Sequence, residues 1–121
     1  METKYKYKLG THRQNRRIWI EGKRLSDNGF VKDKRYNIRY ADNYIMIEFD
    51  TNGTHKINGS IDRPIIDICN RHVGLNIKTD NVMVTFDVDN LIIEGIQNDW
   101  YFNIYIYNGY IDRNDCIFNP Q

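Results

Sequence analysis

The feature that most constrains the fold is a succession of short runs in which apolar and polar residues alternate, separated by turn dipeptides. Alternation of this kind predicts half-buried strands, because successive side chains of a strand point to opposite faces. Asn, Asp and Gly tolerate the left-handed conformations of tight hairpins, and Asp42-Asn43, Asn52-Gly53, Asp89-Asn90 and Asn108-Gly109 separate the runs. No helical periodicity extends over three turns. We therefore predict a mainly β protein with short helices and with strands at 4–9, 17–20, 36–40, 44–49, 55–57, 64–66, 82–86, 91–93 and 100–107.

The length of 121 residues and the 40% hydrophobic content fit one domain, 1–121, with a modest core. No apolar run approaches the roughly 20 residues that span a bilayer, and no signal peptide follows Met1. Cys69 and Cys116 lie far apart and have no C-x-x-C partner, so neither a zinc site nor a disulfide framework is indicated. We expect a soluble, cytoplasmic protein with no membrane partner, metal or cofactor.

The chain divides into two successive units with the same order of elements. Units 4–50 and 54–96 each consist of a strand that ends in glycine, a second strand, a short helix, another glycine and a hairpin of two strands. The remainder, 97–121, is predicted to be a C-terminal aromatic hairpin. Each unit therefore has the order β-α-β-β after its first strand.

The short helices are predicted near 23–28 and 67–73. Gly29 and Gly74 follow them, and we expect both glycines at positive φ as left-handed helix caps. Phe30 and Leu75 are expected to be buried against the helices that they follow. A glycine inside a continuing helix would contradict this equivalence of the two units.

The first unit resembles a known family. The spacing Ile18-x-Ile20-x-Gly22-x-x-Leu25-x-x-x-Gly29-Phe30, followed by strand 36–40 and Ile45-x-Ile47, is similar to the core motif of SymE-type toxins in the SpoVT/AbrB swapped-hairpin superfamily. The second unit resembles an AbrB-like repeat more loosely, at residues 63–67, 74–80, 82–86 and 91–93. The sequence departs from the usual pattern at Asp33, where the family has glycine, and at Thr79-Asp80, where it has Gly-Asp.

The resemblance implies a fold and a class of partner. In that superfamily two identical chains interleave into one small barrel, so two units in one chain imply a monomeric, pseudo-symmetric swapped-hairpin barrel. A dimer joined through the C-terminal hairpin is a further possibility. Family members bind DNA through basic residues on the barrel, or act as RNA-degrading or nucleic-acid-binding toxins.

Charge is distributed unevenly along the chain. Residues 1–40 hold 12 Lys and Arg against 4 Asp and Glu, whereas residues 41–121 hold 5 against 12. The basic segment either contacts nucleic-acid phosphates or pairs with the acidic remainder as a solvated surface. The residues predicted to contact phosphates are Lys4, Lys6, Lys8, Arg13, Arg16, Arg17, Lys23, Arg24, Lys34, Arg35 and Arg39.

Aromatic residues lie among these cations at Tyr5, Tyr7, Trp19, Tyr36 and Tyr40. Exposed ones would stack on single-stranded bases, and buried ones would belong to the core.

The histidines His12, His55 and His72 show no spacing that indicates an acid-base pair. We therefore predict no catalytic residues.

The C-terminal hairpin supplies a second candidate surface. Trp100, Tyr105 and Tyr107 either cap the barrel or bind a partner. The leading hypothesis is a non-enzymatic nucleic-acid-binding protein that contacts the DNA or RNA backbone. The alternatives are a small mobile-element-encoded inhibitor, similar to an anti-CRISPR protein, that binds a nucleoprotein enzyme, and a SymE-like ribonuclease toxin.

Overall fold

A computed structural model describes residues 3–97. The predicted C-terminal hairpin, with Trp100, Tyr105 and Tyr107, lies outside the described residues. The described part is mainly β, as predicted. Its elements are β1 (Thr3–Lys8), β2 (Gly10–His12), β3 (Asn15–Glu21), α1 (Lys23–Asp27), β4 (Arg35–Ala41), β5 (Tyr44–Phe49), β6 (His55–Lys56), β7 (Asn58–Gly59), β8 (Pro64–Cys69), α2 (Arg71–Asn76), β9 (Asn81–Phe86) and β10 (Asn90–Ile96).

The strands form two antiparallel sheets. The larger has the order β1-β9-β10-β5-β4-β6, and the smaller has the order β2-β3-β8-β7. Every strand predicted within residues 3–97 is present, with shifts of a few residues at some ends. The alternation did not reveal β2 and β7, because strands of three and two residues are too short to show a period.

Strand pairing in the described part follows a two-fold pattern. Suppose that each strand of the first half is replaced by its counterpart in the second half and the reverse, so that β1 becomes β6, β2 becomes β7 and so on. Every pair then becomes a pair that is present in the structure: β1–β9 becomes β6–β4, and β2–β3 becomes β7–β8. The pairs β5–β10 and β3–β8 become themselves. Both sheets therefore contain strands from both halves, and each half completes the sheets of the other.

The core lies between the sheets. Alternation on β3 sends Ile18 and Ile20 inward, where they are 2% and 0% exposed. The aromatic part of the core is centred on Phe30, whose ring centroid lies 4.3 Å from that of Phe49 and 5.8 Å from that of Phe86. Burying each such side chain contributes about 1.5–3 kcal/mol, so these contacts hold α1 against the larger sheet.

The first helix ends as predicted. Gly29 has φ 85° and Phe30 is fully buried. The Phe30 amide donates to the Leu25 carbonyl at 2.9 Å, which closes the last turn of α1 and directs the Phe30 ring into the core.

The equivalent prediction for the second helix is wrong. Gly74 lies inside α2 and Leu75 is 60% exposed, whereas the next buried residue is Ile77. Asp67, expected in the helix, lies in β8, and Asn70 begins α2 by accepting from the amides of His72 and Val73. The helix thus starts and ends later than expected, and Ile77 takes the place predicted for Leu75. The two units match in strand pairing but not in helix capping.

Within residues 3–97, neither helix has the length or the apolar content needed to cross a membrane.

Candidate nucleic-acid interface

The three lysines of β1 share one face of the larger sheet. Their Cα partners on β9 are Thr85, Met83 and Asn81, for Lys4, Lys6 and Lys8 respectively. Lys4 Nζ donates to Thr85 Oγ1 at 3.3 Å. This lysine-bearing face of β1 is therefore partly held against the neighbouring strand, β9.

Around α1 the predicted cations Lys23, Arg24, Lys34 and Arg35, and the neighbouring Lys32 and Lys56, have partners within the chain. Lys23 pairs with Asp27 at 3.2 Å, and both Lys32 and Lys56 approach Asp33, at 3.6 and 3.8 Å. We call this region, consisting of Lys23, Arg24, Lys32, Lys34, Arg35 and Lys56, the α1 end.

The other cations of the α1 end are held by aromatic rings and a carbonyl. The Arg24 guanidinium lies 3.8 Å from the Tyr5 ring centroid, and Lys34 Nζ lies 3.7 Å from that of Phe49. Arg35 donates to the Gly53 carbonyl at 3.0 Å. Cation–π contacts and charge-assisted hydrogen bonds leave these groups less available to phosphates.

Two further predicted arginines are paired across strands. Arg17 donates to both carboxylate oxygens of Asp67 at 2.9 Å, and this hydrogen bonding raises the pKa of Arg17 above its ordinary value. Arg39 pairs with Glu48 at 2.8 Å. The sequence left two hypotheses for the basic segment, phosphate contact and internal pairing, and internal pairing describes both Arg17 and Arg39.

A different arrangement surrounds α2. Arg16 packs against Gly74, where an added Cβ would lie 3.1 Å from Arg16 Cγ. The Arg16 guanidinium contacts Asp80 at 3.2 Å and donates to the Thr79 carbonyl. The Asp80 side chain is 74% exposed, so this ion pair is weak. Lys78 Nζ lies 3.3 Å from the Gly74 carbonyl. Arg16 and Lys78 therefore flank the same helix.

Three more cations lie at this end. Arg13 is at the tip of the β2–β3 hairpin, and Cys69 Sγ donates to the His12 carbonyl at 3.5 Å, which holds that hairpin near the start of α2, at Arg71. In the register of β1 with β9, Lys8 lies opposite Asn81, the residue after Asp80. We call this set the α2 basic surface: Lys8, Arg13, Arg16, Arg71 and Lys78.

The α2 basic surface differs from the α1 end in the number of cations that lack partners. Among the described residues, no side-chain hydrogen bond or ion pair engages Lys8, Arg13 or Arg71. All three are exposed. Positive charge that no internal carboxylate neutralises is available to attract phosphates.

Sequence reasoning missed Arg71 and Lys78, because both lie in the half of the chain that is acidic overall. One cation within the predicted helix, Arg71, and one shortly after it, Lys78, were a signal that the average charge concealed.

His55 and His72 pack against different aromatic rings. His55 stacks on Tyr36 with centroids 5.5 Å apart, and His72 lies 5.2 Å from Tyr40. Burial, with a smaller effect of the Asp67 charge, raises the pKa of Tyr36 to about 12. In the part of the chain that the structure describes, no three His, Cys, Asp or Glu side chains are grouped to hold a metal.

The five aromatics near the basic segment divide by exposure. Tyr36 is buried, Tyr5, Tyr7 and Tyr40 are partly buried, and Trp19 is 42% exposed on the outward face of the smaller sheet. Trp19 is the large aromatic of this group that is open to a ligand.

No protein-family model, curated protein or solved structure matches this chain.

Proposed function

We propose that this protein binds the phosphate backbone of a nucleic acid, without catalysis, through the α2 basic surface. One observation carries the proposal: Arg71 in α2, Arg13 at the tip of the hairpin held near the start of α2, and Lys8 opposite Asn81 have no internal partner among residues 3–97. Lysine and arginine side chains that neutralise phosphates release condensed counterions, and this release drives binding.

The proposal moves the site relative to the sequence prediction. Lys8, Arg13 and Arg16 belong to the predicted set, and Arg71 and Lys78 are added from the second half of the chain. The cations of the α1 end are left out, because each of them has an internal partner, a carboxylate, a ring or a carbonyl, that competes with phosphates, whereas Lys8, Arg13 and Arg71 have none among the described residues. Hairpin β2–β3 and helix α2 thus supply the surface jointly.

We also propose that the two sheets form an AbrB-like, pseudo-symmetric swapped-hairpin barrel. Its support is the exchange pattern, in which β1 pairs with β9 and β6 pairs with β4 while β5 and β10 pair with each other. Because one chain carries both halves, we expect a monomer. Light scattering that shows only an interleaved dimer would contradict this architecture, whereas a dimer joined through the C-terminal segment would not.

Fluorescence anisotropy with labelled DNA and RNA oligonucleotides over a salt series tests the function. If all five cations contact phosphates, the slope of log K against log salt should be roughly −3.5 to −4.5, depending on strandedness. Dissociation constants no tighter than about 10⁻⁴ M at physiological salt would reject the proposal.

A matched pair of triple variants locates the site. R13A/R71A/K78A removes three cations from the α2 basic surface, and K23A/K32A/K56A removes three exposed cations from the α1 end. We expect the first to reduce the magnitude of the salt slope by about 2–3 and the second to leave it nearly unchanged. Equal losses in both variants would show that only net charge matters.

The inhibitor hypothesis is a second candidate. The observation that favours it is the internal pairing of most predicted N-terminal cations, which leaves fewer groups for free nucleic acid. An inhibitor of a nucleoprotein enzyme should bind isolated DNA and RNA only feebly. In that case, alanine at Trp100, Tyr105 or Tyr107 should abolish partner capture without unfolding the chain.

A further inference from the structure

We propose that Trp19 is a stacking platform for an unpaired base, so that the ligand of this protein is single-stranded. The inference rests on the proposed nucleic-acid binding and names the class of ligand. Bases inside a duplex are stacked on one another and cannot offer a face to a side chain, whereas unpaired bases stack readily on aromatic rings.

The position of Trp19 follows from strand alternation. Ile18 and Ile20, on either side of it, enter the core at 2% and 0% exposure, so the indole is directed to the opposite face of the smaller sheet. There it remains 42% exposed. A large aromatic left open at the centre of a strand contributes less to folding than a buried one and has surface available for a ligand.

The indole is held in place by its neighbours. The Arg17 guanidinium lies over one face of the indole, 4.5 Å from its centroid, and is itself held by both oxygens of Asp67, so a base would stack on the other face. The indole Nε1 donates to Glu21, whose carboxylate also pairs with Arg63 at 3.4 Å. An aromatic ring whose orientation is already set loses little conformational freedom when a base stacks on it.

The charges around the indole balance. Arg17 and Asp67 form one ion pair, and Glu21 and Arg63 form another. Trp19 therefore offers stacking rather than attraction for phosphates, and the cations for the backbone must come from elsewhere.

Arg13 links the α2 basic surface to Trp19. Arg16 lies on β3 with Trp19, but strand alternation directs it to the opposite face, where it packs against α2. Arg13 is instead at the exposed tip of the β2–β3 hairpin. Four steps of strand separate Asn15, where β3 begins, from Trp19, which corresponds to about 13 Å, and Arg13 lies in the turn just before Asn15. A few nucleotides of extended single strand span that distance, with phosphates at the hairpin tip and one base on the indole.

The experiment compares single-stranded and duplex oligonucleotides of the same length. The chain has two tryptophans, so a W100F variant leaves Trp19 as the single reporter. We expect oligo(dT) and oligo(U) 12-mers to quench its fluorescence on binding and a 12-base-pair duplex to leave it nearly unchanged. Quenching of equal size by the duplex would overturn the inference.

Affinity measurements on variants complete the test. W19A should weaken binding of the single-stranded 12-mers by about 5- to 150-fold, and W19F should restore most of the loss. I61A, which removes another exposed apolar side chain (83% exposed), is the control and should have no effect. Thermal unfolding checks that W19A folds, and the quenching of Trp19 in the W100F variant is a readout that does not depend on W19A being stable.

The outcomes separate the two proposals. If W19A and W19F bind as the wild type does while R13A/R71A/K78A binds weakly, the stacking inference is wrong and the proposed function stands. If the wild type binds neither single strands nor duplex, both proposals fail. Loss in W19A, rescue in W19F and no change in I61A support the inference.

Discussion

The two ends of the molecule carry similar numbers of cations but differ in what surrounds them. At the α1 end, Lys23, Lys32 and Lys56 face Asp27 and Asp33. Among the described residues, the α2 basic surface has one ion pair, between Arg16 and Asp80. Cations that are close together in the sequence are therefore not necessarily available to phosphates, because the fold decides which carboxylates and rings lie beside them.

The two ends also differ in where their cations come from. The first half of the chain supplies all but one of the residues of the α1 end, and Lys56 is the exception. The α2 basic surface takes three cations from the first half and two, Arg71 and Lys78, from the second. Strand exchange between the halves is the physical reason, since it places the β2–β3 hairpin beside a helix from the other half.

Charge reversal should give the largest difference between the ends. We expect R13E/R71E to weaken single-strand binding by about 100-fold or more at low salt, because it replaces attraction to phosphates by repulsion. The matched control K23E/K56E makes the same change in net charge at the α1 end and should cost less than about 5-fold. Anisotropy titrations at one salt concentration measure both. Similar losses in the two variants would erase the distinction between the ends.

Alkaline pH should destabilise the fold through the buried phenol of Tyr36, beside the α1 end. The folded pKa of Tyr36 is about 12 and the unfolded value is about 10, so the unfolded chain loses its proton first. The contribution of the phenol is complete below about pH 10 and is lost as pH rises to about 12, by up to about 2–3 kcal/mol.

Urea unfolding of the wild type and of Y36F measures this effect. The variant should lack that part of the alkaline loss, so its stability relative to the wild type should improve between about pH 10 and pH 12. An identical pH dependence in the two proteins would contradict the assignment.

The two helix glycines should respond differently to alanine. Gly29 has φ 85°, so G29A should destabilise the fold by about 1 kcal/mol. Gly74 lies within α2, where alanine favours helix by about 1 kcal/mol but its Cβ would come 3.1 Å from Arg16 Cγ. That flexible side chain can shift, so we expect G74A to change stability by less than about 0.5 kcal/mol. Equal costs in urea unfolding would restore the equivalence of the two caps that the sequence suggested.

Neutralising one carboxylate should have the smallest effect, and it should strengthen nucleic-acid binding where the charge reversals weaken it. D80N frees Arg16 from its ion pair and should strengthen binding by about 2- to 4-fold, as expected for an exposed pair worth less than about 1 kcal/mol. D33N frees Lys32 and Lys56 at the α1 end and should not change affinity. Tighter binding by D33N would mean that the α1 end also contacts the ligand.

The elements of the fold were more predictable than its site. Alternation located eight of the described strands, and the cap at Gly29 followed from the spacing between Leu25 and Phe30. The second cap failed because the local Gly-Leu pair resembled the first, whereas Asn70 starts α2 later and Ile77, not Leu75, enters the core. Local patterns indicate the type of an element, but tertiary packing decides its ends.

By itself, the sequence determined a mainly β protein with short strands, tight turns and a helix closed by Gly29 and Phe30. These features depend on side-chain periodicity and backbone conformation, which act between neighbouring residues. The tertiary structure alone decided that Arg17 is held by Asp67 and that Arg71 and Lys78 join Arg13 and Arg16. Those outcomes depend on pairing between strands and helices that are 50 or more residues apart, and local sequence patterns do not encode which distant charges meet.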